Sequence, residues 1–284
     1  MEYRSFAEAD IPALHKTHNL AFSDYSVNMQ MPEEVMRRNW LHNGVRLDLS
    51  MGAWADGELV GFIMNGIGDW QGRFTAYDAG TGVIPAHRGR GVAGDLFRAA
   101  VPLLKAAGVT QYLLEVIQSN ESALKVYRGL GMRETRALDC LRCPPERRFA
   151  AESVPAPAAV REVEAPDWAS LRAFWDWEPS WQNSVAALER RAGPRTVLGA
   201  FCDERCAGYL VVGPGGGIPQ FAVDRAWRRR GIGRQLLAAA WGHIPPDRSL
   251  TMINVDAGAQ DTLAFLAAQG FESFTGQFEM LMDL

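Results

Sequence analysis

Arg88-Gly89-Arg90-Gly91-Val92-Ala93-Gly94-Asp95-Leu96-Phe97 and Arg228-Arg229-Arg230-Gly231-Ile232-Gly233-Arg234-Gln235-Leu236-Leu237 are two versions of one segment, in register. Each follows a strand-like run ending in valine, Thr81-Gly82-Val83 and Phe221-Ala222-Val223. Each opens an amphipathic helix rich in Leu and Ala. Each helix leads to another strand, Tyr112-Leu113-Leu114-Glu115-Val116 and Leu250-Thr251-Met252-Ile253-Asn254-Val255. A further helix follows, closed by Gly131-Met132 and by Gly270-Phe271. Gly91 and Gly131 lie 40 residues apart, Gly231 and Gly270 39 apart. One unit of about 140 residues used twice means two domains, not a solenoid.

The boundary is visible between the copies. Pro144-Pro145 to Pro157 is proline-rich and polar, without a hydrophobic period, and reads as a linker. Val160-Arg161-Glu162-Val163 then matches Tyr3-Arg4-Ser5-Phe6, and Pro166-Asp167 and Ala9-Asp10 start helices. The expected domains are 1–145 and 159–284, joined by 146–158. Within the first copy the expected order is strand 2–6, helices from Asp10 to Phe22 and Pro32 to Asn43, and a hairpin 49–55/58–67 turning at Asp56-Gly57. Strand 73–83, helix 92–107, strand 110–117, helix 121–130 and strands near 132–141 complete it. That order describes an α/β (α+β) fold around a mixed, mostly antiparallel sheet flanked by helices.

Composition narrows the function. The 284 residues carry 29 Lys and Arg against 33 Asp and Glu, a net charge of −4, with 48% hydrophobic residues. Both domains can bury cores, and nucleic acid is not expected as a partner. The first residues contain no apolar signal core, and no apolar run approaches ~18 residues, so a cytoplasmic protein away from membranes is expected. Cys140-x-x-Cys143 and Cys202-x-x-x-Cys206 offer either four zinc ligands or reduced thiols beside strands. The pairs lie far apart in sequence and Asp203-Glu204-Arg205 reads as a hairpin turn, which favours thiols and no metal.

The Arg/Gly loop suits a pyrophosphate. A helix N-terminus presents unpaired N–H groups, glycines let them curl around an anion, and arginines add charge. A Gly/Arg surface turn that merely caps a helix is the bland alternative. No Gly-x-x-x-x-Gly-Lys-Ser/Thr is present. Gly89-x-Gly91-x-x-Gly94 followed by Glu115 satisfies the dinucleotide fingerprint of an NAD(P)-binding oxidoreductase. Against it, the second copy lacks the glycine set, the loop comes late and after an antiparallel hairpin, and the strand before it is not a buried apolar run.

The two copies resemble the GNAT superfamily of acetyl-CoA-dependent N-acyltransferases. The resemblance rests on Arg88-x-x-Gly91-x-Ala93 and Arg228-x-x-Gly231-x-Gly233, and in the first copy on Leu114-Glu115-Val116, Asn120, Ala123, Tyr127 and Gly131-Met132. It implies two tandem domains, each with a splayed sheet, and acetyl-CoA as the cofactor. Val83 and Ile84 would meet the pantetheine, and Arg88, Gly89, Arg90, Gly91, Val92 and Ala93 the pyrophosphate. In the second copy Val223, Arg228, Arg229, Arg230, Gly231, Ile232 and Gly233 correspond. A primary amine, in a small molecule or a peptide, would attack the thioester directly, which suits a chain without a Gly-x-Ser-x-Gly elbow. The amine must first lose a proton. Tyr127 is in the family position for the acid, or packs as helix core. Asp78 is the first candidate for the base and Glu115 the second, with the Val83 N–H as an oxyanion donor. If strand 73–83 alternates, Tyr77 and Asp78 face opposite sides, unless a bulge intervenes. Asn120 touches the cofactor or caps the helix from Glu121.

The second copy departs from this pattern. Leu266 stands where Tyr127 does and Ala259 where Asn120 does, and Gly217 to Val223 holds no carboxylate. It reads as a degenerate copy that still binds CoA or completes a pocket, although in some tandem members the C-terminal copy is the active one. Trp168, Trp175, Trp177 and Trp181, with Asp176 and Glu178, read either as an acceptor pocket or as core. The same holds for Tyr25, Met29, Met31 and Trp40. A CoA-binding sensor or scaffold without turnover is the alternative function, and a homodimer is compatible with the sequence.

Overall fold

A computed structural model describes residues 1–24, 29–150, 158–190 and 193–284; Tyr25 lies outside them. The first repeat contains β1 (Glu2–Ser5), α1 (Ile11–Ala21), α2 (Glu33–Asn43), β2 (Met51–Ala55), β3 (Glu58–Trp70), β4 (Arg73–Val83), α3 (Val92–Ala106), β5 (Gln111–Ile117), α4 (Glu121–Gly129) and β6 (Arg133–Cys143). The second contains β7 (Ala159–Glu162), α5 (Trp168–Leu171), α6 (Val185–Arg190), β8 (Thr196–Cys202), β9 (Arg205–Val212), β10 (Gln220–Val223), α7 (Ile232–Gly242), β11 (Leu250–Asp256), α8 (Gln260–Ala268) and β12 (Glu272–Asp283). The strands expected near 132–141 are one continuous strand, β6, and the helix of the second repeat that corresponds to α1 shrinks to the four residues of α5.

Local chemistry accounts for the joints. Asp56 and Gly57 both have positive φ, 51° and 82°, the conformation a two-residue hairpin needs to match strand twist. Asp203 and Glu204 make the same turn at 47° and 62° without a glycine. The buried face of α3 is Val92, Leu96, Phe97, Ala100 and Leu104, one stripe at helical spacing. Asp167 caps α5 by accepting the Ser170 N–H at 3.3 Å.

The chain divides into two compact units, and neither is a continuous piece of sequence. The first is Met1–Thr135 with Ala187–Ala192 and Phe278–Leu284; the second is Arg136–Ala186 with Gly193–Gln277. In the first unit β1, β2, β3 and β4 run antiparallel in that order, and β5 joins β4 in parallel. The final residues of β12 lie beyond β5. There Leu284 donates its N–H to Thr110 O at 3.1 Å, Arg73 pairs with Asp283, and the fully buried Met280 joins the core around Tyr112 and Leu124. In the second unit β7, β8, β9 and β10 form an antiparallel sheet. Its β11 pairs with the latter part of β6, from Leu250↔Cys143 to Asp256↔Leu138. Leu141 and Cys143 are buried there with Leu210, Leu236 and Trp241. The first repeat has therefore given most of its last strand, from Arg136, and the second repeat the end of its own, from Phe278, to the unit built mainly by the other. Both units are mixed α/β, with open, mostly antiparallel sheets flanked by helices. Among the described residues no helix is long and apolar enough to cross a membrane.

Candidate functional site

The first repeat parts at its centre. β4 and β5 pair only at Thr75↔Gln111, Ala76↔Tyr112 and Tyr77↔Leu113. Beyond that row β4 stays with β3 alone, and a bulge at Ala79 separates Met64↔Gly80 from Asn65↔Asp78. Gly80 sits at φ 151°, a conformation that glycine tolerates. Because strand faces alternate, Tyr77 lies on the α1 side of the sheet with Glu115, and its hydroxyl donates to Glu115 Oε2. Asp78 lies on the α3 side. Its Oδ1 accepts the Gly80 N–H at 2.9 Å, and its Oδ2 accepts the Thr81 hydroxyl at 2.7 Å and the Tyr127 hydroxyl at 3.2 Å. Burial pushes the Asp78 carboxyl above the usual range, and these three donors oppose that shift. Tyr112, between them in the core, gives its proton to Asn65 Oδ1 at 2.6 Å, and its phenol is raised well above the ordinary value by burial and by the neighbouring Asp78.

Two loops repeat one geometry. Gly89 and Gly91 have φ of 73° and 81°; Arg229 and Gly231 have 61° and 84°. A non-glycine residue at Arg229 holds a costly conformation, of the kind found at binding loops. The first helical hydrogen bonds are Asp95 N to Gly91 O and Gln235 N to Gly231 O. The N–H groups of Val92, Ala93, Ile232 and Gly233 therefore precede the helical ladder. A Cβ on Gly91 would meet nothing within 4 Å, so the loop surface is open there. Arg90, Arg229 and Arg230 are exposed, and among the described residues none has a carboxylate partner. Unclaimed N–H groups, open glycines and cations without carboxylate partners, Arg230 resting over the Trp227 ring, fit a pyrophosphate. The Arg88 and Arg228 guanidinium groups are engaged by carboxylates, Asp24 at 2.7 Å and Asp176 at 2.9 Å. The Ile84 N–H is given to Val60 O at 3.0 Å, inside the sheet. Asn120 caps α4, accepting the Ala123 N–H at 3.1 Å.

In the second repeat the segment before β10 meets β11 at one isolated parallel bridge, Gly217↔Thr251, and among the described residues β10 itself forms no ladder with β11. Past it the strands diverge around a cavity of about 390 Å³ lined by Phe221, Val223, Met252 and Val255, with Gly231 and Gly233 among its walls. Trp175 and Trp177 also line it, whereas Trp181 is core and Trp168 packs edge-on to Tyr209. The carboxylates beside them are taken, Asp176 by Arg225 and Arg228 and Glu178 by Arg172. Leu266 is fully buried in the core. Asn254, in the position of Glu115, went unnoticed in the sequence. It sits in the β11 bulge at φ 58°, buried against the cavity, accepting from Gln277 at 2.9 Å and donating to Ser180 at 3.2 Å. An asparagine inside an apolar strand was the available signal, since asparagine tolerates positive φ. All four cysteines are free, and burial pushes the Cys143 thiol up to about 11, away from thiolate chemistry. Among the described residues no cluster of His, Cys, Asp or Glu is assembled for a metal ion.

The acetyltransferase (GNAT) family model matches twice, over residues 13–132 and 159–271. An N-alpha-acetyltransferase MAK3 of Arabidopsis thaliana is 35% identical over 86 residues, 30% of this chain and 45% of that protein. A streptothricin acetyltransferase of Streptomyces lavendulae is 36% identical over 77 residues, 27% of this chain and 40% of that one. The chain thus spans less than half the length of these curated relatives. Among solved structures, a tandem GNAT protein from the clavulanic acid biosynthesis pathway superposes with a TM-score of 0.77 at 18% identity, covering 99% of this chain and 98% of that one. A GCN5-related N-acetyltransferase from Sphaerobacter thermophilus gives 0.72 at 18% identity, covering 99% and 95%. Two parted sheets, two phosphate-type loops and a family match over each repeat make one assignment: the chain is a tandem member of the GNAT acetyltransferase family.

Proposed function

We propose that the chain is an N-acetyltransferase that uses acetyl-CoA and a primary amine, with the chemistry in the first repeat. The observation that carries this reading is the pair of hydrogen-bonded acid–base couples, Tyr77–Glu115 and Asp78–Tyr127, set where β4 and β5 part. Acetyl-CoA, when bound, supplies an activated acyl group. The residues of the chain supply proton control and positioning. Glu115, on the α1 side and held by Tyr77, takes the proton that an ammonium must lose. Asp78 has both oxygens engaged and is buried, so it serves Tyr127 better than it serves an incoming amine. Its raised pKa makes the neutral form accessible. A neutral Asp78 donates to the Tyr127 oxygen and frees the phenol proton for the leaving sulfur. The Ile84 N–H points toward β3, so by alternation the Val83 N–H faces the free edge, where an oxyanion would need a donor.

The test is thiol release from acetyl-CoA by the full chain across a panel of primary amines, with the acylated product weighed by mass spectrometry. Release with at least one amine is expected. CoA binding without release under any amine supports the sensor reading, which the second repeat favours through its cavity and its lack of an acid at Leu266.

A further inference from the structure

The arginine that opens each loop makes the same set of contacts in both repeats. Arg88 donates Nε to Val83 O at 3.1 Å, Nη1 and Nη2 to the two oxygens of Asp24 at 2.7 and 2.8 Å, and Nη2 also to Ala21 O at 2.8 Å. Arg228 donates Nε to Val223 O at 2.9 Å, reaches both oxygens of Asp176 at 3.2 and 2.9 Å, and gives Nη2 to Phe174 O at 3.3 Å. In each copy all three guanidinium nitrogens are engaged, by the strand carbonyl, the carboxylate and a carbonyl of the segment that carries it. Val83 and Val223 are the last residues of β4 and β10. The next residue in each case donates inward, Ile84 N to Val60 O and Asp224 N to Ala207 O. The valine carbonyls therefore face the free edge of the parted strand. Ala21 and Asp24 end the α1 region, and Phe174 and Asp176 hold the corresponding place after α5.

We infer that Asp24 and Asp176 are positioning residues. Each holds its arginine as a brace that pins the free end of the cofactor strand to the acceptor-side segment. Anion contact is left to the loop N–H groups and to Arg90 in the first repeat, Arg229 and Arg230 in the second. The inference rests on acetyl-CoA being the ligand of these loops. It gives the motif arginine a role through strand geometry rather than through phosphate. Two copies diverged in sequence keep the contact set, while the partner carboxylate comes from a different local context, Ser23-Asp24 in one and Trp175-Asp176-Trp177 in the other.

The sign of one measurement separates the roles. If the aspartate competes with phosphate for the arginine, removing its charge frees a cation and tightens CoA. If it braces the arginine, removing its charge loosens the strand end and weakens CoA. CoA binding to the full chain is measured by calorimetry for wild type, Asp24→Asn and Asp176→Asn, with tryptophan fluorescence of the Trp175–Trp177 segment as the readout of the second site. Both aspartates lie at the surface, so the folded state is expected to survive, and thermal melts check it. The expected result is a loss of CoA affinity of about three- to tenfold at the mutated repeat. Restoration by Asp24→Glu and Asp176→Glu is expected, as is unchanged binding of adenosine 3′,5′-bisphosphate, which has no pantetheine to align. Tighter CoA binding, unchanged CoA binding, or loss of the bisphosphate together with CoA overturns the brace. Failure of wild type to bind CoA at either site instead removes the proposed function.

Discussion

Replacing Tyr127 with phenylalanine removes one oxygen and keeps the ring that packs against the core of the first unit. Asp78 loses one of three donors and keeps Gly80 N–H and Thr81 Oγ1. The stability cost is therefore that of one hydrogen bond to a buried carboxyl, about 1–2 kcal/mol. The cost to turnover is larger. Loss of a general acid is worth about 10²–10³ in rate, or about 3–4 kcal/mol of barrier. CoA affinity should hold, because the loop N–H groups and Arg90 lie elsewhere on the chain. The assay is thiol release at saturating acetyl-CoA with the best amine found, paired with calorimetric CoA binding on the same preparation. A kcat within about threefold of wild type, with binding intact and the fold preserved, refutes the acid role and the reasoning from the Asp78–Tyr127 pair.

Asp78→Asn probes burial through pH. The folded carboxyl is raised above its unfolded value, so wild-type stability falls as pH climbs from about 4 through that raised value. The variant lacks this loss, and the Tm of Asp78→Asn minus that of wild type should grow with pH over that window; a constant difference refutes the burial argument. Gly91→Ala puts a side chain at φ 81°, costing about 1 kcal/mol of stability, and should weaken CoA binding by calorimetry, with no steric clash to blame. Met280→Ala should destabilise the first unit by about 2–5 kcal/mol, read as early proteolysis within residues 1–135 despite its place at the end of the second repeat. Leu266→Tyr should gain no activity and lose about 1–3 kcal/mol in denaturant unfolding, because the site is closed core.

The parts of this fold legible in sequence are those fixed by neighbours. Asp56-Gly57 announces its turn because only certain residues accept positive φ there, and α3 announces its face through apolar spacing. The Arg/Gly loops announce themselves by repetition. The Ala79 bulge was foreseeable only as an option, since Gly80 permits it without demanding it. The partner of Arg88 was not legible. Asp24 lies 64 residues away, and an ion pair leaves no periodic trace. The exchanged strands were invisible for a related reason. β6 and β12 each begin polar and end apolar, and nothing in either run says which sheet it joins. Asn254 stands out only through its positive φ and its partners Gln277 and Ser180, none of which a strand pattern announces.

The ownership of the terminal strand sets a timetable for synthesis. A ribosome that has made Thr135 must still make about 143 residues before Phe278 emerges, roughly 7–30 s at ~5–20 residues per second. Through that interval the nascent first unit has an open strand edge beside β5 and a core without Met280. It is exposed to premature pairing and to chaperones until Phe278–Leu284 has been made. Residues 278–284 act as a latch on the first unit, so a ribosome that stalls before them leaves that unit with a docking edge still bare.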